Sequence, residues 1–271
     1  MIKSPLPQIA TLALALAASC SAQDEGLTRY EQSQKSEQWE PKPEIVDTHS
    51  GIPSDAIVLF DGSNLDAWEL DNPEAKPWKI EDGAFTVIPQ KPASGIHTKQ
   101  AFGDVQLHLE FRSPTDIEGH DGQDRGNSGI FFMGRYEIQV LDSYQNETYV
   151  NGQLGSIYKQ YPPLANPARK PGEWQTYDVI FIAPRFHEDG SLKSPARMTA
   201  ILNGVLVQYD AVLYGPTQWI GFPEYTAHAE KLPLSLQDHQ HFVSYRNIWI
   251  RELDGDEIQN RTVHPGLKKS W

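Results

Sequence analysis

Strict alternation of apolar and polar residues in one eight-residue segment most constrains what this chain can fold into. In residues 105–112, VQLHLEFR, every odd-numbered residue is apolar and every even-numbered residue is polar. A period of two places the apolar side chains on one face of a β-strand and the polar ones on the other. Residues 136–140, YEIQV, alternate in the same way. The pattern predicts antiparallel strands that each cover a core with one face.

Other short segments predict further strands and the turns between them. Segments of strand character lie at residues 57–60, 177–182, 198–202, 205–207 and 247–250. Asn203-Gly204 separates two of them and is a strong signal for a β-hairpin. The 20 glycines and 20 prolines indicate many turns, and no stretch combines a helical period with caps. We therefore predict an all-β fold, most simply two antiparallel sheets packed as a sandwich or jelly roll.

The first 22 residues predict export. Lys3 precedes a short apolar run at residues 11–18, which is too short to span a bilayer and is typical of a secretory signal peptide. The only cysteine of the chain, Cys20, ends this segment and predicts an acylated lipoprotein. The alternative is cleavage after Ala22, which gives a soluble exported protein. Both readings place the protein in the periplasm or at the outer membrane.

Composition bounds the domain organisation and the partners. Residues 23–54 are polar and lack periodicity, which predicts a tether, and residues 55–271 are predicted to form one β-sandwich domain. The formal net charge of −13 argues against nucleic acid and anionic lipid as partners, so a membrane is expected only through a lipid on Cys20. A lone cysteine excludes an intramolecular disulfide and a cysteine-cluster zinc site.

The polar faces of the two alternating segments are candidates for binding sugar. Their outward side chains are His108, Glu110, Arg112, Glu137 and Gln139. This mixture of acid, base and amide suits recognition of hydroxyl groups on a sheet face. A solvated sheet face would show the same alternation, so the pattern leaves both readings open.

Several motifs, taken in chain order, resemble one family. They are LFDG at 59–62, GNSGIFF at 126–132, YEIQVLD at 136–142, GEWQTY at 172–177, LNGV at 202–205, LQDH at 236–239 and YRNI at 245–248. The set resembles the 3-keto-disaccharide hydrolase domain of bacterial exported proteins, over residues 57–253. The resemblance implies a concanavalin-like β-sandwich and cleavage of glycosides whose sugar carries a ketone at C3. Members usually have glycine after LQDH, where this chain has Gln240.

The implied chemistry requires a base, an acid and a group that stabilises negative charge. A ketone at C3 acidifies the proton on C2, so a base can remove it and the enolate can expel the oxygen on C1. Glu137, Asp142 and His239 are the candidates for base and acid. Arg112 or a divalent metal would stabilise the enolate. We expect these residues, with Glu110 and Gln139, to line one pocket, which requires a bulged strand at Asp142 and a folded-back loop at His239.

Two alternatives apply to these catalytic candidates. His239 is equally compatible with a structural histidine held by Asp238. Residues 137–142 also resemble the catalytic strand of laminarinase-type β-glucanases, but Gln139 replaces the middle acid and Asp142 the last. Retaining hydrolysis needs two carboxyls about 5–5.5 Å apart. The replacement argues against ordinary glucanase chemistry and leaves a sugar-binding face possible.

Two further segments are candidates for ligand contact. An acidic loop at residues 116–124 carries Asp116, Glu118, His120, Asp121 and Asp124. Such a loop can bind Ca²⁺, although its spacing does not match an EF-hand and a solvated loop is the alternative. A divalent metal such as Ca²⁺ is therefore a possible cofactor, and its ligands are unknown. Tyr158 and Lys159 lie in an aromatic segment that predicts the rim of a sugar pocket.

Taken together, the sequence predicts an exported carbohydrate-active enzyme that cleaves 3-keto-glycosides by elimination and hydration or by hydrolysis. One alternative is a non-catalytic lectin-like module of the cell envelope. A structural lipoprotein that binds a protein partner is another. The chain lacks a glycine-rich dinucleotide fingerprint, so we expect a separate sugar 3-dehydrogenase to act upstream. Acids that converge in one pocket would favour the enzyme.

Overall fold

The computed structural model describes residues 26–255 and 266–267. The predicted signal peptide at residues 1–22, with Cys20, lies outside the described residues. Among the described residues, 26–255 and 266–267, no helix has the length and apolar character needed to cross a membrane.

A short helix interrupts the polar N-terminal segment. Helix α1, Arg29–Gln34, belongs to a unit that includes residues 26–45. It begins at a capping box, in which the Glu31 amide donates to Thr28 Oγ1 (3.3 Å) and the Thr28 amide donates to Glu31 Oε2 (2.8 Å). No helix was predicted in this tether. A capping box satisfies the free amides of the first turn and so stabilises a helix that buries no residue.

A second unit, Val46–Gln259, contains the strands. The first eight strands are β1 Ile57–Phe60, β2 Trp68–Leu70, β3 Lys79–Glu81, β4 Ala84–Thr86, β5 Ile96–Phe102, β6 Val105–Arg112, β7 Ser128–Phe132 and β8 Tyr136–Val140. The others are β9 Gln175–Ile182, β10 Arg185–Phe186, β11 Leu192–Ser194, β12 Arg197–Leu202, β13 Val205–Val212, β14 Leu232–Leu236 and β15 Ser244–Glu252. Single 3₁₀ turns lie at Gly122–Asp124 and Val150–Gly152.

The strands form two large antiparallel sheets and one small hairpin. The larger sheet has the order β13-β12-β9-β6-β15-β4-β3, and β1 also pairs with β15. The smaller sheet has the order β2-β5-β14-β7-β8, and β10 pairs with β11. The predicted all-β fold of two antiparallel sheets is confirmed. Strands β6 and β8 have the bounds that alternation predicts, and Asn203-Gly204 makes the predicted hairpin with φ of 52° and 80°.

The core lies between the two sheets and is built by the alternating positions. Leu107, Leu109 and Phe111 of β6 are fully buried, as are Ile138 and Val140 of β8. Contact between the sheets is direct, because the hydroxyl of Tyr177 on β9 donates to the Gln139 carbonyl on β8 (2.8 Å). The polar positions of β6 and of β8 therefore face away from the core in opposite directions. This arrangement decides which predicted site residues can meet.

Candidate active site

A cavity of about 740 Å³ lies on the outer face of the smaller sheet. Strands β7 and β8 form its floor, and loops that follow β6, β8, β13 and β14 form its walls. Its lining residues are Gln123, Asn127, Phe131, Glu137, Gln139, Tyr149, Tyr158, Lys159, Thr217, Trp219, Gln237 and His239. A volume of this size is within the range for pockets that hold small molecules.

Glu137 is the buried acid of this cavity. Its side chain belongs to β8 and the residue is 4% exposed. Among the described residues no group donates a hydrogen bond to its carboxyl oxygens, while its amide donates to Thr217 Oγ1 (3.0 Å). Burial raises the pKa of Glu137 to about 8. A carboxyl with a pKa near the working pH can exchange a proton with a bound molecule, which is what acid–base catalysis requires.

Gly129 makes room for this carboxyl. On the neighbouring strand β7, Phe131 pairs with Glu137 and Gly129 pairs with Gln139. A Cβ at Gly129 would lie 2.6 Å from Glu137 Oε1 and 2.6 Å from Phe131 Cε2. Real Cβ atoms do not approach other atoms so closely. The glycine is therefore required by the packing of the carboxyl and the ring over β7.

Two glutamines supply unpaired acceptors next to Glu137. The amide nitrogen of Gln139 donates to Gln123 Oε1 and to the Gly152 carbonyl, both at 3.2 Å. Its Oε1 is buried and has no partner among the described residues, and the same holds for Oε1 of Gln237. Buried acceptors without a donor are costly, so both oxygens favour a ligand that brings hydroxyl groups.

Aromatic side chains and a lysine form the rim. The hydroxyls of Tyr149 and Tyr158 are 2.7 Å apart. Lys159 Nζ donates to the Trp219 carbonyl (2.6 Å) and lies 5.6 Å from the centre of the Tyr158 ring. The Trp219 residue is 74% exposed. An exposed aromatic ring at the edge of a polar cavity offers the flat apolar surface on which a sugar ring stacks.

His239 stands where this cavity meets a second one. It is exposed and also lines a neighbouring cavity of about 380 Å³. Its ring stacks on His241 with centroids 5.9 Å apart and 7° between the planes. Although the residue is exposed overall, desolvation of its ring by neighbouring groups, together with the nearby His241, lowers the pKa of His239. Its imidazole is therefore biased towards the neutral form.

Asp238 fixes the turn that carries His239. Its carboxylate accepts hydrogen bonds from the Gln240 amide (2.7 Å) and the Ser94 amide (3.1 Å). Gln240 has a φ of 64°, in the left-handed region that favours glycine. The glycine that the resemblance led us to expect at this position would adopt this conformation without strain. Asp238 thus links the backbone of this turn to the segment at Ser94, and neither hydrogen bond involves the His239 imidazole.

The structure brings together five of the predicted site residues. They are Glu137, Gln139, Tyr158, Lys159 and His239. Alternation places the first two on the outer face of β8, and the loops after β8 and β14 carry the other three. Their catalytic and binding roles stay predictions.

His108, Glu110 and Arg112 lie elsewhere, so the expectation of one shared pocket is wrong for Glu110 and Arg112, and the binding candidate His108 lies with them. All belong to β6, and their side chains leave the outer face of the larger sheet, across the core from Glu137. Glu110 accepts from Arg246 Nε (2.7 Å), and His108 Nδ1 is 2.7 Å from Asp178 Oδ1. Arg112 lies over the Trp174 ring at 4.8 Å. These side chains pair with their neighbours across the sheet.

Asp142 is also absent from the cavity, so its expected convergence with Glu137 is wrong. The residue is fully buried just beyond β8. Its Oδ2 accepts from Arg125 Nε (2.7 Å) and its Oδ1 accepts from the Tyr144 amide (3.0 Å). Both oxygens are used to hold the loop that follows the strand. No bulge within β8 turns Asp142 towards the face of Glu137.

Sequence reasoning missed seven lining residues. They are Gln123, Asn127, Phe131, Tyr149, Thr217, Trp219 and Gln237. Asn127, Phe131 and Gln237 stand inside the motifs GNSGIFF and LQDH, so these motifs were a usable signal. Thr217 and Trp219 lie in an irregular segment between β13 and β14, where no periodicity indicates which side chains face a ligand.

The second cavity contains the donor set for a metal. His120, Asp124 and His241 each offer one ligand atom, and these atoms lie within 4.8 Å of one another. The first two belong to the acidic loop at residues 116–124, and His241 comes from the loop after β14. The other acids of that loop are not part of this group.

The fold and the cavity together define a class of protein. A sandwich of two antiparallel sheets that carries amide, carboxyl and aromatic side chains in a cavity on one outer face is typical of carbohydrate-active β-sandwich proteins. Within this class, the chain belongs to the 3-keto-alpha-glucoside-1,2-lyase-like domain family, which matches residues 55–251. The resemblance identified from the motifs is therefore confirmed.

Solved structures of related proteins agree with this family. A candidate glycosyl hydrolase from Parabacteroides distasonis ATCC 8503 is 49% identical, with a TM-score of 0.75 over 84% of this chain and 98% of that one. A second candidate glycosyl hydrolase from the same organism is 20% identical, with a TM-score of 0.55 over 84% of this chain and 98% of that one, and shares the fold. None of the curated proteins matches the chain.

Proposed function

We propose that this protein is an exported enzyme that cleaves 3-keto-glycosides or 3-keto-disaccharides. Loss of the C2 proton and of the C1 substituent eliminates the aglycone, and addition of water to the resulting double bond completes a net hydrolysis. The observation that carries the proposal is a buried, unpaired Glu137 in a polar cavity of a protein from the 3-keto-alpha-glucoside-1,2-lyase-like family. Relatives described as candidate glycosyl hydrolases support the substrate class.

Glu137 is assigned as the base. Its carboxylate takes the C2 proton, and the electrons of the broken C–H bond form an enolate with the C3 ketone. A base of higher pKa removes such a proton more readily, and burial raises the pKa of Glu137 to about 8. No donor among the described residues forms a hydrogen bond with this carboxylate. No protein group therefore competes with the C2 proton of the substrate for its oxygens.

His239 and the rim complete the assignment. When the enolate collapses, the C1–O bond breaks and the leaving oxygen takes the proton that Glu137 removed from C2. We assign to neutral His239, at the edge of the cavity, the role of the base that activates the water added in the hydration step. Gln139 and Gln237 accept hydrogen bonds from sugar hydroxyls through their unpaired oxygens. Trp219 stacks on the ring, and Lys159 faces negative charge that develops on the substrate.

Location and the source of substrate belong to the same proposal. The signal segment and Cys20 support export with a lipid anchor in the periplasm or at the outer membrane. A 3-keto sugar must be made by oxidation of a hydroxyl, so a separate sugar 3-dehydrogenase supplies it. Mass spectrometry of the mature N-terminus tests the anchor, and an unmodified residue at Gln23 would contradict it.

The test compares a 3-keto-glucoside with its unoxidised parent glucoside. The wild-type protein is expected to release the aglycone from the keto sugar and to leave the parent intact. Glu137→Gln keeps the shape and removes the base, so turnover should fall ~10²–10⁴-fold. Wild-type turnover by this variant, or cleavage of the parent alone, would contradict the proposal. Binding of the keto sugar without any turnover would favour a lectin-like module.

Glu110→Gln is the matched control. It makes the same chemical change on the outer face of the larger sheet, where Arg246 holds the carboxylate. Turnover should stay at the wild-type level provided that the variant is folded. A loss of activity equal to that of Glu137→Gln would move the active site to the other face of the sandwich.

A further inference from the structure

Two loops that are distant in sequence meet at a cluster of two histidines and one aspartate. His120 and Asp124 lie at the 3₁₀ turn before β7, and His241 follows β14. His120 Nδ1 is 2.8 Å from Asp124 Oδ2, and His241 Nε2 is 3.3 Å from Asp124 Oδ1. One carboxylate therefore faces two imidazoles, one on each of its oxygens.

The spacing of these atoms suits a shared cation. A direct charge-assisted hydrogen bond usually measures about 2.7–2.9 Å, and the contact between His241 and Asp124 is longer. Two ligands at about 2.1 Å from a tetrahedral metal lie roughly 3.4 Å apart, close to this 3.3 Å contact. The His120 side chain is 43% exposed, so its ring can turn to complete the group.

The surrounding structure holds the His241 ring in place and also fixes the turn that carries Asp124. The His241 side chain is 12% exposed and its Nδ1 is buried, so Nε2 is the nitrogen that faces Asp124. Beside Asp124, the Gly122 amide donates to Asn146 Oδ1 (2.7 Å), and the Asn146 amide nitrogen donates back to the Gly122 carbonyl (2.9 Å). A site whose ligands are held before binding loses less entropy when the ion arrives.

We propose that His120, Asp124 and His241 form a binding site for a divalent first-row transition metal. Two imidazoles and one carboxylate are the ligand set that Zn²⁺, Co²⁺ and Fe²⁺ accept, whereas Ca²⁺ takes six to eight oxygens. Three protein ligands leave coordination positions open towards the cavity of about 380 Å³. This assignment replaces the calcium expected from the acidic loop with a metal that binds imidazole.

The site adjoins the cavity that we assign to the sugar. His239 lines both cavities and stacks on His241. A metal bound to His241 would therefore be separated from His239, a residue of the proposed active site, by the His241 ring alone. The binding of the metal depends on the cluster alone and does not rest on the proposed sugar chemistry. A binding measurement therefore tests this inference without any substrate.

The test is a titration of the full, chelator-treated protein with Co²⁺, followed by visible absorption, and with Zn²⁺, followed by calorimetry. One metal ion per chain is expected. His120→Gln and His241→Gln should each weaken binding by about 100-fold or more, since even the residues that support metal ligands contribute 10–100-fold. Added Zn²⁺ should raise the melting temperature of the wild-type protein and not that of either variant.

His97→Gln is the matched control. His97 Nδ1 is 2.8 Å from Asp71 Oδ1 and His97 Nε2 is 3.8 Å from Glu69 Oε2, so this surface cluster has carboxylates and one imidazole. Its removal should leave Co²⁺ binding unchanged. The proposal is overturned if neither metal binds, if binding survives both variants of the cluster, or if Ca²⁺ binds more tightly than Zn²⁺.

Discussion

Adding one methyl group at Gly129 tests how the buried acid is positioned. The Cβ of Gly129→Ala would lie 2.6 Å from Glu137 Oε1 and 3.1 Å from Glu137 Cδ. Moving that oxygen to an ordinary contact distance of 3.4 Å requires a displacement of about 0.8 Å. The clashing atoms belong to side chains, so the backbone of β7 can keep its course. We expect the variant to fold at a cost of about 1–3 kcal/mol.

The displacement should affect turnover more than stability. A misplacement of about 1 Å at a reacting group can lower a rate by roughly 10²-fold. The assay measures kcat/KM for a 3-keto-glucoside together with urea unfolding of the same preparation. We expect turnover to fall by about that factor while the unfolding transition stays cooperative.

Gly103→Ala provides the control for this prediction. Its Cβ would lie 2.9 Å from the Glu230 carbonyl oxygen, between β5 and β6, without touching the cavity. This variant should lose stability and keep turnover. The reasoning about Gly129 is refuted if folded Gly129→Ala turns over the keto sugar as fast as the wild type, or if both glycine variants lose activity in proportion to their stability.

Three further predictions concern pH and the buried ion pair. With Glu137 as base, kcat/KM should rise as the pH increases through about 8, and a fall across that range would identify it as an acid. Burial raises the pKa of Glu137 from 4.5 to about 8, so between these pH values the folded state binds a proton that the unfolded state has lost. The wild type should therefore lose stability relative to Glu137→Gln as the pH rises from 4.5 to about 8. A difference in the free energy of urea unfolding that stays constant over this range would contradict the prediction. Asp142→Asn leaves Arg125 buried without its counter-ion and should cost about 3–5 kcal/mol in urea unfolding, and a change below about 1 kcal/mol would show that the pair is not structural.

Local patterns determined the fold class of this protein. Alternation fixes which residues of a strand share a face, so β6 and β8 could be bounded from their residues alone. Asn203-Gly204 predicted its hairpin because few residue pairs accept two successive positive φ angles. The ordered motifs identified the family, and Glu137, Gln139 and His239 stood within them.

Only the tertiary structure decided which polar faces meet. Alternation treats Glu110 and Glu137 alike, yet they lie on opposite outer faces because β6 and β8 belong to different sheets. Sheet membership depends on pairings between strands far apart in sequence, which no local period encodes. The approach of His241 to Asp124 has the same origin, since loops become neighbours through the strands that carry them. The sequence by itself specified seven of the fifteen strands in the described residues and the two faces of those that alternate, and the packing of the two sheets selects the face that becomes a site.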